Sequence, residues 1–206
     1  MKDIFEAVLG FDGDEVVELV KQEIARGTDI SIIVNDGLIG AMDEVGKKFS
    51  SGELFVPEML LAAHAMKAGL DELKPHMSKN AAKTKGTVVI GTVKGDLHDI
   101  GKNLVSMMME GAGFEVIDLG VDVETEKFIQ VAKDNNADII CMSALLTTTM
   151  PEMEVTIKAL NDQGLNYKTM IGGAPVTQDF ANEVGADGYS EDAPGAVAKA
   201  RILLSA

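Results

Sequence analysis

Between residues 87 and 206 the chain repeats one pattern: a short run of β-forming residues, then a longer helical stretch. The runs are TVVIG, EVIDLG, DIICMS, TMIGG and DGYS, and the helical stretches after them span about residues 101–112, 124–135, 150–163, 178–185 and 192–204. Alternation of this kind leaves little choice of fold. Parallel strands cannot be joined by a tight turn, so each connection is a crossover helix, and the helices come to cover both faces of one sheet. In such sheets a ligand lies outside the carboxyl ends of the strands, at the switch point beside the first strand. The loop leaving the first strand is contained in GTVKGDLHDIGKNLV, residues 91–105, and it carries His98 between Asp96 and Asp99. The ligand edge is therefore expected to present an imidazole.

Residues 1–78 show the helical period alone. A short helix, KDIFEAVLG, precedes DGDEVVELVKQEIARG, in which Val16, Val17, Leu19, Val20 and Ile24 recur at helical spacing and Gly27 is a stop. A further helix opens at Thr28 or Asp29 and closes near Gly52, and Pro57 suits the first position of the next. Four helices with brief connections make a small bundle. SKNAAKTKG is polar and lysine-rich without apolar periodicity, and residues 79–86 are read as a linker. The expected architecture is a four-helix bundle over 1–78 followed by a doubly wound, Rossmann- or flavodoxin-like α/β domain over 87–206, with five parallel strands.

Composition removes several classes of function. The formal net charge is −15, and with no basic stripe nucleic-acid binding is disfavoured. No run of about 18 uncharged apolar residues exists, so no transmembrane helix is expected. MKDIFEAVLGFDGDEVVELV carries acids inside its apolar pattern, so it is not expected to be a signal peptide. The single Cys141 excludes an internal disulfide and suits a reducing cytosol, which makes the expected location cytoplasmic. With 12 Met and 4% aromatic residues, the core must be aliphatic and methionine-filled, and Met107-Met108-Met109 is read as part of it.

Three phosphate chemistries fail at the first loop. Gly91, Gly95 and Gly101 do not have dinucleotide spacing, and Gly101-Lys102 is followed by Asn103 where a P-loop needs Ser or Thr. A phospho-acceptor domain of this topology needs an Asp at the end of the third strand, which here ends Cys141-Met142-Ser143.

A loop histidine is by default an exposed or structurally satisfied one. Asp96, two residues earlier, changes that reading. A metal-bound imidazole gives one nitrogen to the metal and donates the other N–H to a carboxylate or carbonyl, which fixes its tautomer. Asp-x-His supplies the orienting group locally. His64 and His76 lie in the helical half, so only one strong nitrogen ligand is at hand, too few for a free zinc ion. One ligand suffices as an axial bond to a metal already held by a macrocycle.

Asp96-Leu97-His98-Asp99-Ile100-Gly101 resembles the D-x-H-x-x-G motif of cobalamin-binding domains. SALLTTTM, residues 143–150, resembles the Ser/Thr-rich segment of that family, and GGAP, Gly172 to Pro175, resembles its glycine pair, in the same order. The bundle ahead of them is similar to the cap domain of methionine synthase and of corrinoid proteins in methyltransferase systems.

The resemblance implies a corrinoid cofactor, cobalamin or a relative, whose cobalt takes His98 as its lower axial ligand with Asp96 as hydrogen-bond partner. Thr149, or Ser143 by a different geometry, would extend the relay. A nucleotide tail would enter a slot beside the first strand, with Gly172 and Gly173 giving room where a Cβ would fill it, and Gly101 allowing close approach at the helix start. Ser143 and Thr147 would turn hydroxyls toward the tail, or would cap the helix near Met150. ELFVPEML is similar to the cap segment over the cobalt, which makes Phe55 the lid residue; Met59 and Leu60 either line that face or fill the bundle core. The linker would let the cap swing aside.

The implied function is a methyl carrier, a non-catalytic corrinoid subunit. Its implied partners are a substrate-specific methyltransferase, a second methyltransferase that delivers the methyl group to a folate or thiol acceptor, and a reductive activase. Two alternatives share the motif. The small subunit of a carbon-skeleton mutase would be a bare α/β domain, whereas this chain has the bundle. A cobalamin-sensing regulator would carry a basic recognition helix, which is missing.

Overall fold

The computed structural model describes residues 1–76 and 84–205, and it divides into two compact units with the boundary before Thr84. Of the linker expected at 79–86, residues 79–83 lie outside the described residues.

The first unit is helical. It contains α1 (Lys2–Leu9), α2 (Gly13–Ala25), α3 (Ile30–Ile32), a π-helical stretch (Ile33–Ile39) that runs on into α4 (Gly40–Ser50), and α5 (Val56–Leu73), which ends in a 3₁₀ turn. Asp12 starts α2 by accepting the Glu15 N–H at 2.9 Å, which satisfies one of the donors a helix leaves open at its beginning. The apolar stripes meet in a core of Ile4, Val8, Val16, Val20, Leu38, Met42, Met59, Met66 and Leu73, all buried.

Two details differ from the sequence reading. Pro57 is the second residue of α5, since Val56 is already helical. The helix expected from Thr28 to Gly52 is interrupted by the π stretch, where Gly40 N–H reaches the Asn35 carbonyl. A π turn adds about one residue to a helical turn, a shift that apolar spacing over so long a helix absorbs without trace.

The second unit alternates as expected: β1 (Thr87–Thr92), α6 (Ile100–Gly111), β2 (Glu115–Asp118), α7 (Thr125–Asp134), β3 (Ile139–Ser143), α8 (Pro151–Asp162), β4 (Lys168–Gly172), α9 (Gln178–Val184), β5 (Gly188–Tyr189) and α10 (Ala193–Ser205). All pairings are parallel and the strand order is β2-β1-β3-β4-β5, a doubly wound sheet. The central β1 and β3 read as nearly unbroken apolar runs because both of their faces are covered. On one face Val89, Ile140, Met142 and Ile171 pack with Phe128 of α7 and Met153 and Ile157 of α8.

Strand order reverses between β1 and β3. There the register sets Thr92 opposite Ser143, and Ser143 opposite Gly172. Three residues from three strands thus line one carboxyl edge, and the loops that leave β1 and β3 rise side by side from it.

Candidate functional site

At this edge the carboxylate of Asp96 is fully buried and joins the two loops. Its Oδ1 accepts the His98 main-chain N–H at 3.0 Å and lies 2.7 Å from His98 Nδ1. Its Oδ2 accepts the Leu145 N–H at 2.7 Å, the Leu146 N–H at 3.2 Å and the Thr149 hydroxyl at 2.8 Å. Burial alone would raise the carboxyl's pKa; the donors outweigh it, chiefly the main-chain N–H groups of His98 and Leu145 and then the His98 ring and Thr149 hydroxyl. The group is held well below the usual carboxylate range.

An ionised Asp96 fixes the histidine's tautomer. Nδ1 must carry the proton to make the 2.7 Å bond, so Nε2 keeps its lone pair. The His98 side chain is 51% exposed, and no group among the described residues pairs with Nε2. Its near neighbours in the chain, Leu97 and Ile100, are 71% and 78% exposed, and Leu145 and Leu146, whose N–H groups bond Asp96, are exposed as well. An imidazole nitrogen with its lone pair open can supply one bond to an acceptor metal.

The remaining sequence-derived candidates take varied places. Thr149 is buried on Asp96, its hydroxyl also within 2.9 Å of the Leu146 carbonyl. Ser143 ends β3 and Thr147 is exposed; neither caps α8, whose N-cap Met150 has no side-chain bond. Gly101, the second residue of α6, and Gly172, the last of β4, face open space: a Cβ on Gly101 would meet no protein atom within 4 Å, and one on Gly172 only the Ser190 carbonyl at 3.5 Å. Gly173 differs. Its φ is +131°, and a Cβ would fall 1.9 Å from the Ala144 carbonyl oxygen, so the chain itself demands glycine there. Phe55 belongs to the first unit, 67% exposed just ahead of α5. Met59 is buried in that unit's core, and Leu60 is half-buried.

The structure adds residues that the sequence did not single out. The buried Thr92 donates its hydroxyl to the His98 carbonyl at 2.8 Å. From the β2 side, Asp122 accepts the Gly95 N–H at 2.7 Å and returns its own N–H to the Asp96 carbonyl at 3.0 Å. Lys102 on α6 is buried, with its ammonium on Asp118 at the end of β2 and 2.6 Å from Asn103 Oδ1; Asn103 in turn donates to Asp99 at 3.1 Å. Signals existed for some of these: a lysine in the first turn of a buried helix, and a threonine closing an apolar strand. The β3 thiol of Cys141 is inert, since burial pushes it up to about 12.

Models of the B12 binding domain match residues 1–74 and 86–198. The chain is 47% identical, over all of its length and 97% of the relative's, to dimethylamine corrinoid protein 1 of Methanosarcina acetivorans. It is 44% identical to trimethylamine corrinoid protein 1 of the same organism, over 97% of this chain and 94% of the relative. Among solved structures, the methanol:cobalamin methyltransferase complex of Methanosarcina barkeri contains a chain with a TM-score of 0.89 and 32% identity, covering 98% of this chain and 78% of that one. The match to B12-binding models and to corrinoid proteins along nearly the whole chain, which carries an Asp-x-His pair at the switch point, places this protein in the family of B12-binding corrinoid proteins.

Proposed function

We propose that the chain is the methyl carrier of a methyltransferase system, with His98 Nε2 as the lower ligand of its corrinoid. The residues present fit that group. The nitrogen is exposed and unpaired among the described residues, exposed apolar residues lie near His98 in the chain, and Gly101 and Gly172 leave space that a Cβ would enter. When bound, the corrinoid's cobalt supplies the methyl-accepting and methyl-donating chemistry. The protein's part is to hold and tune it. Asp96 keeps Nδ1 protonated and Nε2 basic, and the β3–α8 loop donors keep Asp96 ionised.

The single observation that carries the reading is the Asp96 carboxylate. It is buried, accepts hydrogen bonds from five donors, and gives one of its two oxygens to an exposed histidine. Among the described residues no group of three or more His, Cys, Asp or Glu could hold a further metal ion, and no helix is long and apolar enough to cross a membrane.

The substrate methyltransferase is the first partner in this reading. The donor class we propose is methylated amines, because the relatives named for dimethylamine and trimethylamine stand at 47% and 44% identity and the methanol system at 32%. A second methyltransferase with a folate or thiol acceptor and a reductive activase complete it, in the cytoplasm. Phe55 is the residue proposed to shield the bound methyl group. The test is reconstitution with cobalamin, reduction, and addition of dimethylamine, trimethylamine or methanol with the matching methyltransferases. Methylation with an amine system supports the reading. Methylation by methanol alone overturns the donor class, and none in any arm overturns the carrier.

A further inference from the structure

We infer that Thr92 is a positioning residue for His98, setting the height of the ligand loop above the sheet. The inference rests on His98 being the corrinoid's ligand. Thr92 closes the central strand β1 and is fully buried. Its main chain is already used: the N–H donates to the Gly120 carbonyl and the carbonyl accepts from Val123, both at 3.0 Å. The hydroxyl is therefore free of any duty in the sheet, and it donates to the His98 carbonyl at 2.8 Å.

His98 is held at three points. Two of them, its main-chain N–H and its ring Nδ1, end on the same oxygen of Asp96. Those fix the ring relative to Asp96, which is itself anchored to the loop after β3 and to Asp122 rather than to β1. The third is the Thr92 hydroxyl, which ties the loop to the sheet without using the carboxylate. It grips the peptide between His98 and Asp99, just where α6 begins and where the Asn103 N–H bonds the Asp99 carbonyl at 2.7 Å. Rotation of that peptide would swing Nε2 sideways even with the Asp96 bonds intact. A ligand that must be made and broken repeatedly at one metal needs such a fixed pivot, because placement within a fraction of an ångström decides whether the bond forms. A buried threonine that merely fills space would not need its hydroxyl aimed here.

The test uses Thr92→Val, which deletes the hydroxyl in nearly the same shape, and Thr92→Ser, which keeps it; Thr92→Ala makes the same deletion with less bulk should valine crowd the site. In the cofactor-free full chain, amide hydrogen exchange at His98 is expected to speed up about three- to tenfold in the valine or alanine variant. Val89 and Ile140 in the strands should keep wild-type rates, and serine should restore His98. In the cobalamin-loaded protein, the ratio of histidine-bound to histidine-free cofactor, read from the absorption spectrum, should fall by a similar factor and recover in Thr92→Ser. Unchanged His98 exchange and an unchanged spectrum in the deletion variants overturn the inference. So does faster exchange spread evenly over the sheet, which marks a structural hydroxyl only. A wild-type spectrum that does not respond to His98→Ala overturns the corrinoid reading instead, and the exchange data still report on Thr92 and the loop.

Discussion

The carboxylate of Asp96 lies 2.7 Å from His98 Nδ1 through one oxygen, while its other oxygen gathers three donors from the loop after β3. One buried side chain thus both orients the ligand and locks two strands' loops together. Asp96→Asn should damage both. An amide has only one acceptor oxygen, so in either orientation its NH₂ points at N–H donors. We expect a stability loss of about 3 kcal/mol, measured by urea denaturation, and corrinoid affinity about 10- to 100-fold weaker, measured by titration. A variant with wild-type affinity would show that the carboxylate is structural alone.

The same hydrogen bonds set a pH dependence. Asp96 has a lower pKa folded than unfolded, so the unfolded chain binds its proton first as pH falls. Its contribution to stability is complete above about pH 5 and is lost progressively as pH drops below the ordinary aspartate value of about 4 toward the lower folded value. Unfolding free energies of wild type and Asp96→Asn should therefore converge on acidification. Parallel curves from pH 6 to pH 3 would contradict the assignment.

Gly172 and Gly173 are neighbours with opposite constraints. Gly173→Ala drives a methyl group into the Ala144 carbonyl at an unfavourable φ and should cost about 3 kcal/mol or more. Gly172→Ala meets only the Ser190 carbonyl at an ordinary 3.5 Å and should fold within about 0.5 kcal/mol of wild type. If the tail of the corrinoid runs past β4, it should nevertheless bind cobalamin about tenfold more weakly. Denaturation and cofactor titration on the pair separate the two roles; normal binding by Gly172→Ala removes the tail slot from that position.

Lys102 and Asp118 should respond unequally. The lysine side chain is 2% exposed and the aspartate 37%. Removing the lysine, as Lys102→Met, leaves a carboxylate that water can reach, and we expect a loss of about 1 kcal/mol or less. Asp118→Ala instead strands a buried ammonium with Asn103 as its remaining acceptor, and about 3 kcal/mol is expected. Equal losses in thermal or urea unfolding would mean that the difference in burial between the two charges does not set the cost.

Much of this site was legible before the fold was known, for a physical reason. Asp96 and His98 are two residues apart, so their pairing is local, and a crossover topology can deliver the loop after β1 only to the ligand edge. Thr149 was legible as one of two candidates, and the register decided for it: Ser143 is spent on the strand end, and the loop turns back to bring Thr149 onto Asp96. Asp122 and the Leu145 and Leu146 N–H groups were not legible, because each acts through contacts that exist only once β2, β1 and β3 lie side by side. Main-chain donors leave no mark on side-chain identity at all. Gly173 was read as room for a ligand, whereas its own chain already requires it. The π stretch at Ile33–Ile39 stayed hidden because a shift of about one residue is small against the apolar spacing of so long a helix.

The most direct test is electron paramagnetic resonance of the protein loaded with cobalamin in its cobalt(II) state. The sample should be compared with one in which histidine alone is labelled with ¹⁵N. Coordination by His98 predicts an axial-nitrogen splitting that changes from a triplet to a doublet on labelling and vanishes in His98→Ala. A splitting indifferent to the label, or one that survives in His98→Ala, would contradict the account.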